Sequence, residues 1–93
     1  MAHSLSAKKR MRQNEKRRQR NRARISVVKK RVRRVLEAVR SKDAPAAETA
    51  LREAAAVIDR TASRGTLHRN TAARRKSRLA RQVNAVRKAA AAG

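Results

Sequence analysis

The sequence contains no Phe, Tyr or Trp. Readers of single-stranded nucleic acid stack bases on such rings, so that mode is closed to this chain apart from Arg planes and two His. Cysteine is also absent, which excludes a disulfide scaffold and thiolate metal sites and suits a reducing, cytoplasmic setting. There are only two Gly and one Pro, and no Gly-rich phosphate loop. No apolar run approaches the ~20 residues that cross a membrane, and the basic start lacks the apolar centre of a secretory signal. An Arg-rich, acid-poor start would also suit a cleaved mitochondrial presequence, but here the helical pattern continues past any cleavage point. Acidic residues are scarce as well: six Asp and Glu stand against 28 Lys and Arg, for a formal net charge of +22 in 93 residues. A chain of this length makes one domain, and at this charge its natural complement is a polyanion.

The charge is densest in residues 5–24. Ten of these twenty are basic (Lys8, Lys9, Arg10, Arg12, Lys16, Arg17, Arg18, Arg20, Arg22 and Arg24), and Glu15 alone opposes them. An ordinary solvated face mixes signs; this one does not, and it has almost nothing apolar to bury. A helix with a cap at Ser4 or Ser6, after a frayed Met1–Leu5, is expected to run uninterrupted to about Ser41. Val28, Val32, Val35 and Val39, flanked by Ile25 and Leu36, form one apolar stripe along it. Stepped backwards, the same seam reads Arg24, Asn21, Arg17, Asn14 and Arg10. The helix is therefore expected to have partners from about Ile25 onward and to project alone before it for ~30 Å.

Asp43 and Pro45 mark the start of a second helix, expected from about Ala44 to Arg64 with Leu51, Ala55, Ile58 and Ala62 inward and Gly65 as its stop. Between Asp43 and Gly65 four acids face three bases, so this helix reads as support. A third helix is expected from Thr66 or a neighbour to about Ala90, with Ala72, Leu79, Val83, Val86 and Ala90 inward. Asn70, Arg74, Ser77, Arg78, Arg81 and Lys88 would form its opposite face. The fold class is all-α: a three-helix up-down-up bundle over residues 25–91, with a basic helical arm over 5–24. Its thin core suggests a marginal free protein whose arm orders on a neutralising partner.

Catalytic motifs are missing. Ser63-Arg64-Gly65 is no nucleophile elbow, and His3 and His68 lack nearby ligands, so neither an enzyme, a cofactor nor a metal site is expected. His68 reads as a packed or capping His, or an RNA contact. Glu15 and Glu37 are expected to pair with neighbouring bases. Membrane-surface binding would want Trp or Phe in the arm. Sequence-reading of DNA would want a helix-turn-helix, which the turns do not suggest. The alternative that shares the charge is a histone-like DNA-compacting protein. The reading preferred on these residues is a grip on phosphates, sugars and shape in folded nucleic acid.

Ser6-Ala7-Lys8-Lys9-Arg10, Gly65, His68-Arg69-Asn70, Ala72-Ala73-Arg74-Arg75-Lys76-Ser77-Arg78-Leu79 and Val83-Asn84 resemble the bacterial small-subunit ribosomal proteins numbered twenty, in order and over nearly the whole chain. The resemblance implies a structural, cytoplasmic protein of the small ribosomal subunit. Such a protein is a monomer that binds small-subunit ribosomal RNA directly and early in assembly, at the bottom of the body, needing few or no protein contacts. It also implies RNA contacts at His68, Arg69, Asn70, Arg74, Arg75, Lys76 and Arg78, to which the helical wheel adds Arg81. Thr71 departs from the Lys frequent in relatives, and Arg often replaces Lys.

Overall fold

The computed structural model describes residues 2–92. It consists of α1 (Ala2–Arg40), α2 (Ala44–Ser63) and α3 (Arg69–Ala92), with no strand among the described residues. The chain is all-α, an up-down-up bundle whose first helix runs on beyond the other two. α1 packs most extensively on α2; α3 packs chiefly on α2 and lightly on α1. The molecule measures 72 × 21 × 14 Å, with a radius of gyration of 18.4 Å, well above the ~12 Å of a compact domain of this length.

Neither Gly nor Pro interrupts residues 1–44, so nothing stops α1 before its designed end. It is already helical at Ala2. Ser4 and Ser6 therefore lie within the helix rather than at its start; Met1, part of the end expected to fray, lies outside the described residues. α1 stops through a left-handed residue. The Lys42 N–H donates to the Val39 carbonyl and the Asp43 N–H to the Ala38 carbonyl, both at 3.1 Å. This is the two-bond closure usually built on Gly, here with Lys42 at φ +58°. Asp43 then serves the next helix as well, its Oδ1 accepting from the Ala46 N–H at 3.2 Å, with Pro45 in the first turn. Three residues thus end one helix and begin the next.

α2 closes in the same way one turn later in the fold. The Gly65 N–H donates to the Ala62 carbonyl (3.0 Å) and the Thr66 N–H to the Thr61 carbonyl (3.1 Å), with Gly65 at φ +79°. The two caps give opposite tests. A side chain in the left-handed region costs roughly 1–2 kcal/mol. Lys42→Gly should therefore stabilise the protein by about 0.5–1 kcal/mol after the entropy of the added Gly is charged against it. Gly65→Ala should destabilise it by about 1–2 kcal/mol. A methyl group there would meet no atom within 4 Å, so that cost is one of backbone conformation alone. Thermal melts followed by circular dichroism read both, at about 4–8 °C per kcal/mol for a domain of this size.

The core is a single seam. Val28 and Val35 of α1, Ala47, Ala54 and Ile58 of α2, Ala72, Leu79 and Val83 of α3, and Leu67 of the connection are buried. Val28/Val35, Ala47/Ala54/Thr61 and Ala72/Leu79 are each seven residues apart, the spacing of side chains that interdigitate between helices. Thr61, the one buried polar side chain among the described residues, donates its hydroxyl proton to the Val57 carbonyl at 2.7 Å, so its burial leaves no orphan group. The α1 stripe lies where the apolar spacing places it, with Ile25, Val32, Leu36 and Val39 half-buried around the two central valines. On α2 the inward face is turned from the expected one. Ala47, Ala54 and Thr61 face in beside Ile58, while Leu51, Ala55 and Ala62 lie at its flanks. On α3, Val86 is half-buried and Ala90 is exposed, because the seam ends at Val83.

Candidate nucleic-acid interface

Every residue from Leu5 to Ala23 is exposed. The bases at 8, 9, 10, 12, 16, 17, 18, 20 and 22 therefore stand on a bare helix, free to meet a partner from any side. One turn of helix separates i from i+4, so Arg10, Asn14, Arg17, Asn21 and Arg24 line up along one edge. Glu15 is matched at 3.8 Å by Arg18 one turn on, an exposed pair worth little. Among the described residues, Glu37 makes no ion pair within 4 Å; it shares a groove of about 450 Å³ with Arg33, Arg40 and Arg75.

α2 supplies the remaining acids, and each is used internally. Glu53 accepts from Arg31 Nη1 of α1 at 2.8 Å, Asp59 from Lys76 Nζ of α3 at 2.6 Å, and Glu48 pairs with Arg87 of α3. With Asp43 occupied as a cap, the acids of residues 43–65 face their own bundle. These pairs are partly exposed and add little stability. Their effect is to neutralise three acids within the bundle, so that the charge left on the outer surface is predominantly basic.

The expected contact residues of α3 fall into two groups. Arg69, Asn70, Arg74, Arg78 and Arg81 are exposed. Arg75 and Lys76 are half-buried; Lys76 is tied to Asp59, and Arg75 leans into the groove against α1. His68 sits just before α3, and its Nδ1 accepts the Asn70 backbone N–H at 3.1 Å, while its carbonyl accepts from the Ala72 N–H. It is the N-cap of α3, one of the roles open to it. Because Nδ1 accepts, the ring proton is on Nε2, and the exposed ring can still donate outward. Thr66 does not start α3, which begins three residues later at Arg69.

Thr66 instead ties the α2–α3 connection to the arm. Its Oγ1 accepts from Arg24 Nη1 at 3.1 Å and donates to Asn21 Oδ1 at 3.0 Å. Arg24 is half-buried accordingly, so one of the ten arm bases is also a bundle contact. Beside this tie lies a cleft of about 640 Å³, at the point where α1 leaves the other helices. Arg17, Arg18, Arg22 and Lys29 line it, with Asn14, Asn21, Ser26, Thr66 and the half-buried Ile25. Among these lining residues there is no acid. Lys29 and Ser26 belong to no motif in the sequence, and Thr66 was expected only as a start for α3. The polar continuation of the seam upstream of Ile25 was the signal, but which loop would close over it depends on the packing of α2. No helix among the described residues is long and apolar enough to cross a membrane.

The chain is similar to known proteins along nearly its whole length. The family model of ribosomal protein S20 matches residues 2–84. The small ribosomal subunit protein bS20 of Trichlorobacter lovleyi is 52% identical over 84 residues, covering 90% of this chain and 97% of that one. The bS20 proteins of Persephonella marina and Ectopseudomonas mendocina are 49% and 48% identical, over 94% and 99% of this chain and 95% and 100% of theirs. A match over all three helices, through the basic arm and the capped start of α3, leaves one assignment: the chain belongs to the ribosomal protein S20 family.

Proposed function

We propose that this chain is a structural, non-catalytic component of the small ribosomal subunit in the cytoplasm. It binds folded small-subunit ribosomal RNA directly, through phosphates, sugars and shape. Family membership supports the placement in the subunit. The observation that carries the mode of binding is the exposed arm, ten bases against one acid in residues 5–24, on a chain with no aromatic residue to stack a base. The exposed bases of α3, from Arg69 to Arg81, form a second face, and α2 holds the two in register. In this division of labour residues 5–24 grip, residues 25–91 hold, and the chain acts as a monomer.

Binding of this kind releases counterions. If about eight phosphates are neutralised, log K should fall against log salt with a slope of roughly −6 to −7. Titration of folded small-subunit ribosomal RNA at several potassium chloride concentrations measures it. A slope shallower than about −2 would show that phosphate contacts are not the main source of affinity.

A further inference from the structure

The cleft at the arm–bundle junction holds a chemistry that phosphate gripping does not require. Phosphate oxygens only accept hydrogen bonds, and Arg or Lys meets them best. Yet the seam facing this cleft places amides at Asn14 and Asn21, two turns and ~10 Å apart, on either side of Arg17. Asn is a poorer helix former than the Arg, Lys and Gln around it, so helix formation does not account for either amide. Asn21 has a partner in Thr66, but Asn14 lies two turns further out, where α2 and α3 do not follow. An amide both donates and accepts. The group on RNA that does the same, and that DNA lacks, is the ribose 2′-hydroxyl, displayed along the wide, shallow minor groove of an A-form helix.

We propose that this cleft recognises ribose: Asn14 and Asn21 hydrogen-bond 2′-hydroxyls in an RNA minor groove while Arg17 and Lys29 hold the adjoining phosphates. This rests on the reading that the chain binds RNA, and adds to it a means of telling RNA from any other polyanion of equal charge. The geometry prepares the site. Thr66 Oγ1 accepts a hydrogen bond from Arg24 Nη1 and donates its own to Asn21 Oδ1, which fixes that amide and leaves its NH₂ group as a donor for a ligand. Ile25, half-buried and lining the cleft, offers an apolar surface to the carbon face of a sugar. Thr66 is thus a positioning residue, acting through Asn21.

The test compares an RNA duplex of about 20 base pairs with its fully 2′-O-methylated counterpart, which keeps the charge and the A-form shape but loses the hydroxyl donors. The full chain should prefer the unmodified duplex by about 5- to 10-fold, the worth of one or two hydrogen bonds. Asn14→Ala/Asn21→Ala should lose most of that preference with the salt slope unchanged. Thr66→Ala should lose part of it, with helicity by circular dichroism intact. Arg10→Gln/Arg12→Gln should weaken both duplexes alike and flatten the slope by up to about 2. Equal binding of both duplexes by the parent chain would overturn the ribose proposal and leave phosphate gripping standing. So would full preference retained by the double Asn variant. Failure of the parent to bind either duplex at low salt would overturn both readings.

Discussion

Removal of residues 1–20 should lower affinity for ribosomal RNA by on the order of 10³-fold at 0.1 M salt while leaving the bundle folded. The segment carries eight of the ten arm bases: Lys8, Lys9, Arg10, Arg12, Lys16, Arg17, Arg18 and Arg20. Each phosphate contact releases about 0.9 counterion, worth close to tenfold at this salt concentration, so half of the eight suffices for such a loss. The salt slope should flatten in proportion. Stability should respond differently. Among the described residues, all buried side chains lie at Val28 or beyond, and the cut spares both Thr66 hydrogen bonds, to Asn21 and Arg24. Removing a run of like charges should hold the melting temperature or raise it. Circular dichroism should show loss of about 20 residues of helix and a cooperative transition for the rest. A truncated chain with no cooperative melt would mean that the arm belongs to the core.

The reverse outcome is expected of Ile58→Ala. Ile58 is the largest fully buried side chain, with no exposed area, and it sits on α2, the helix that packs most extensively against the other two. Truncation removes its burial and leaves a cavity, together costing about 2–5 kcal/mol. Domains of this size are stable by only a few kcal/mol to begin with, and much of this core is Ala. The variant should therefore be largely unfolded at 37 °C when free. Ribosomal RNA should partly restore its helicity, because a ligand that binds the folded state draws the equilibrium toward it. Far-UV circular dichroism with and without RNA measures this. A variant that melts with the parent would show that the bundle is held by something other than its apolar seam.

The helices and their ends were largely legible in the sequence, because periodicity and caps are local. Val28 and Val35 announce the inner face of α1, Asp43 and Pro45 the start of α2, and Gly65 its stop. What was not legible depends on how the helices are rotated against one another. α2 has so many Ala that hydrophobicity does not select a face. Close approach of the backbones does, and it turns Ala47 and Ala54 inward while Leu51 slides to the edge. Leu67 fills the core from a connection because α3 starts later than its composition suggested. The same holds for the candidate interface. The unbroken basic run of the arm is visible in one dimension. That Lys76 is taken up by Asp59, or that Thr66 reaches back 45 residues to Asn21, is a relation between elements that no single segment carries.

The 72 Å length of the molecule has a kinetic meaning. Because α1 is one helix through the bundle and beyond it, the two ends of the chain behave as the ends of a rod. Once the bundle has docked, the arm can only sweep a sphere a few nanometres across, which places its cations at an effective concentration on the order of millimolar near whatever strand lies within reach. The second contact is then a local search rather than a second encounter from solution. On the proposed reading, the RNA held by the bundle and the RNA held by the arm would be kept at a separation set by the protein, so the rod would work as a gauge as much as a glue. A kink introduced in α1 at the junction, for example by Ser26→Pro, would leave every charge in place and change that spacing, at a cost of about 3 kcal/mol to the helix.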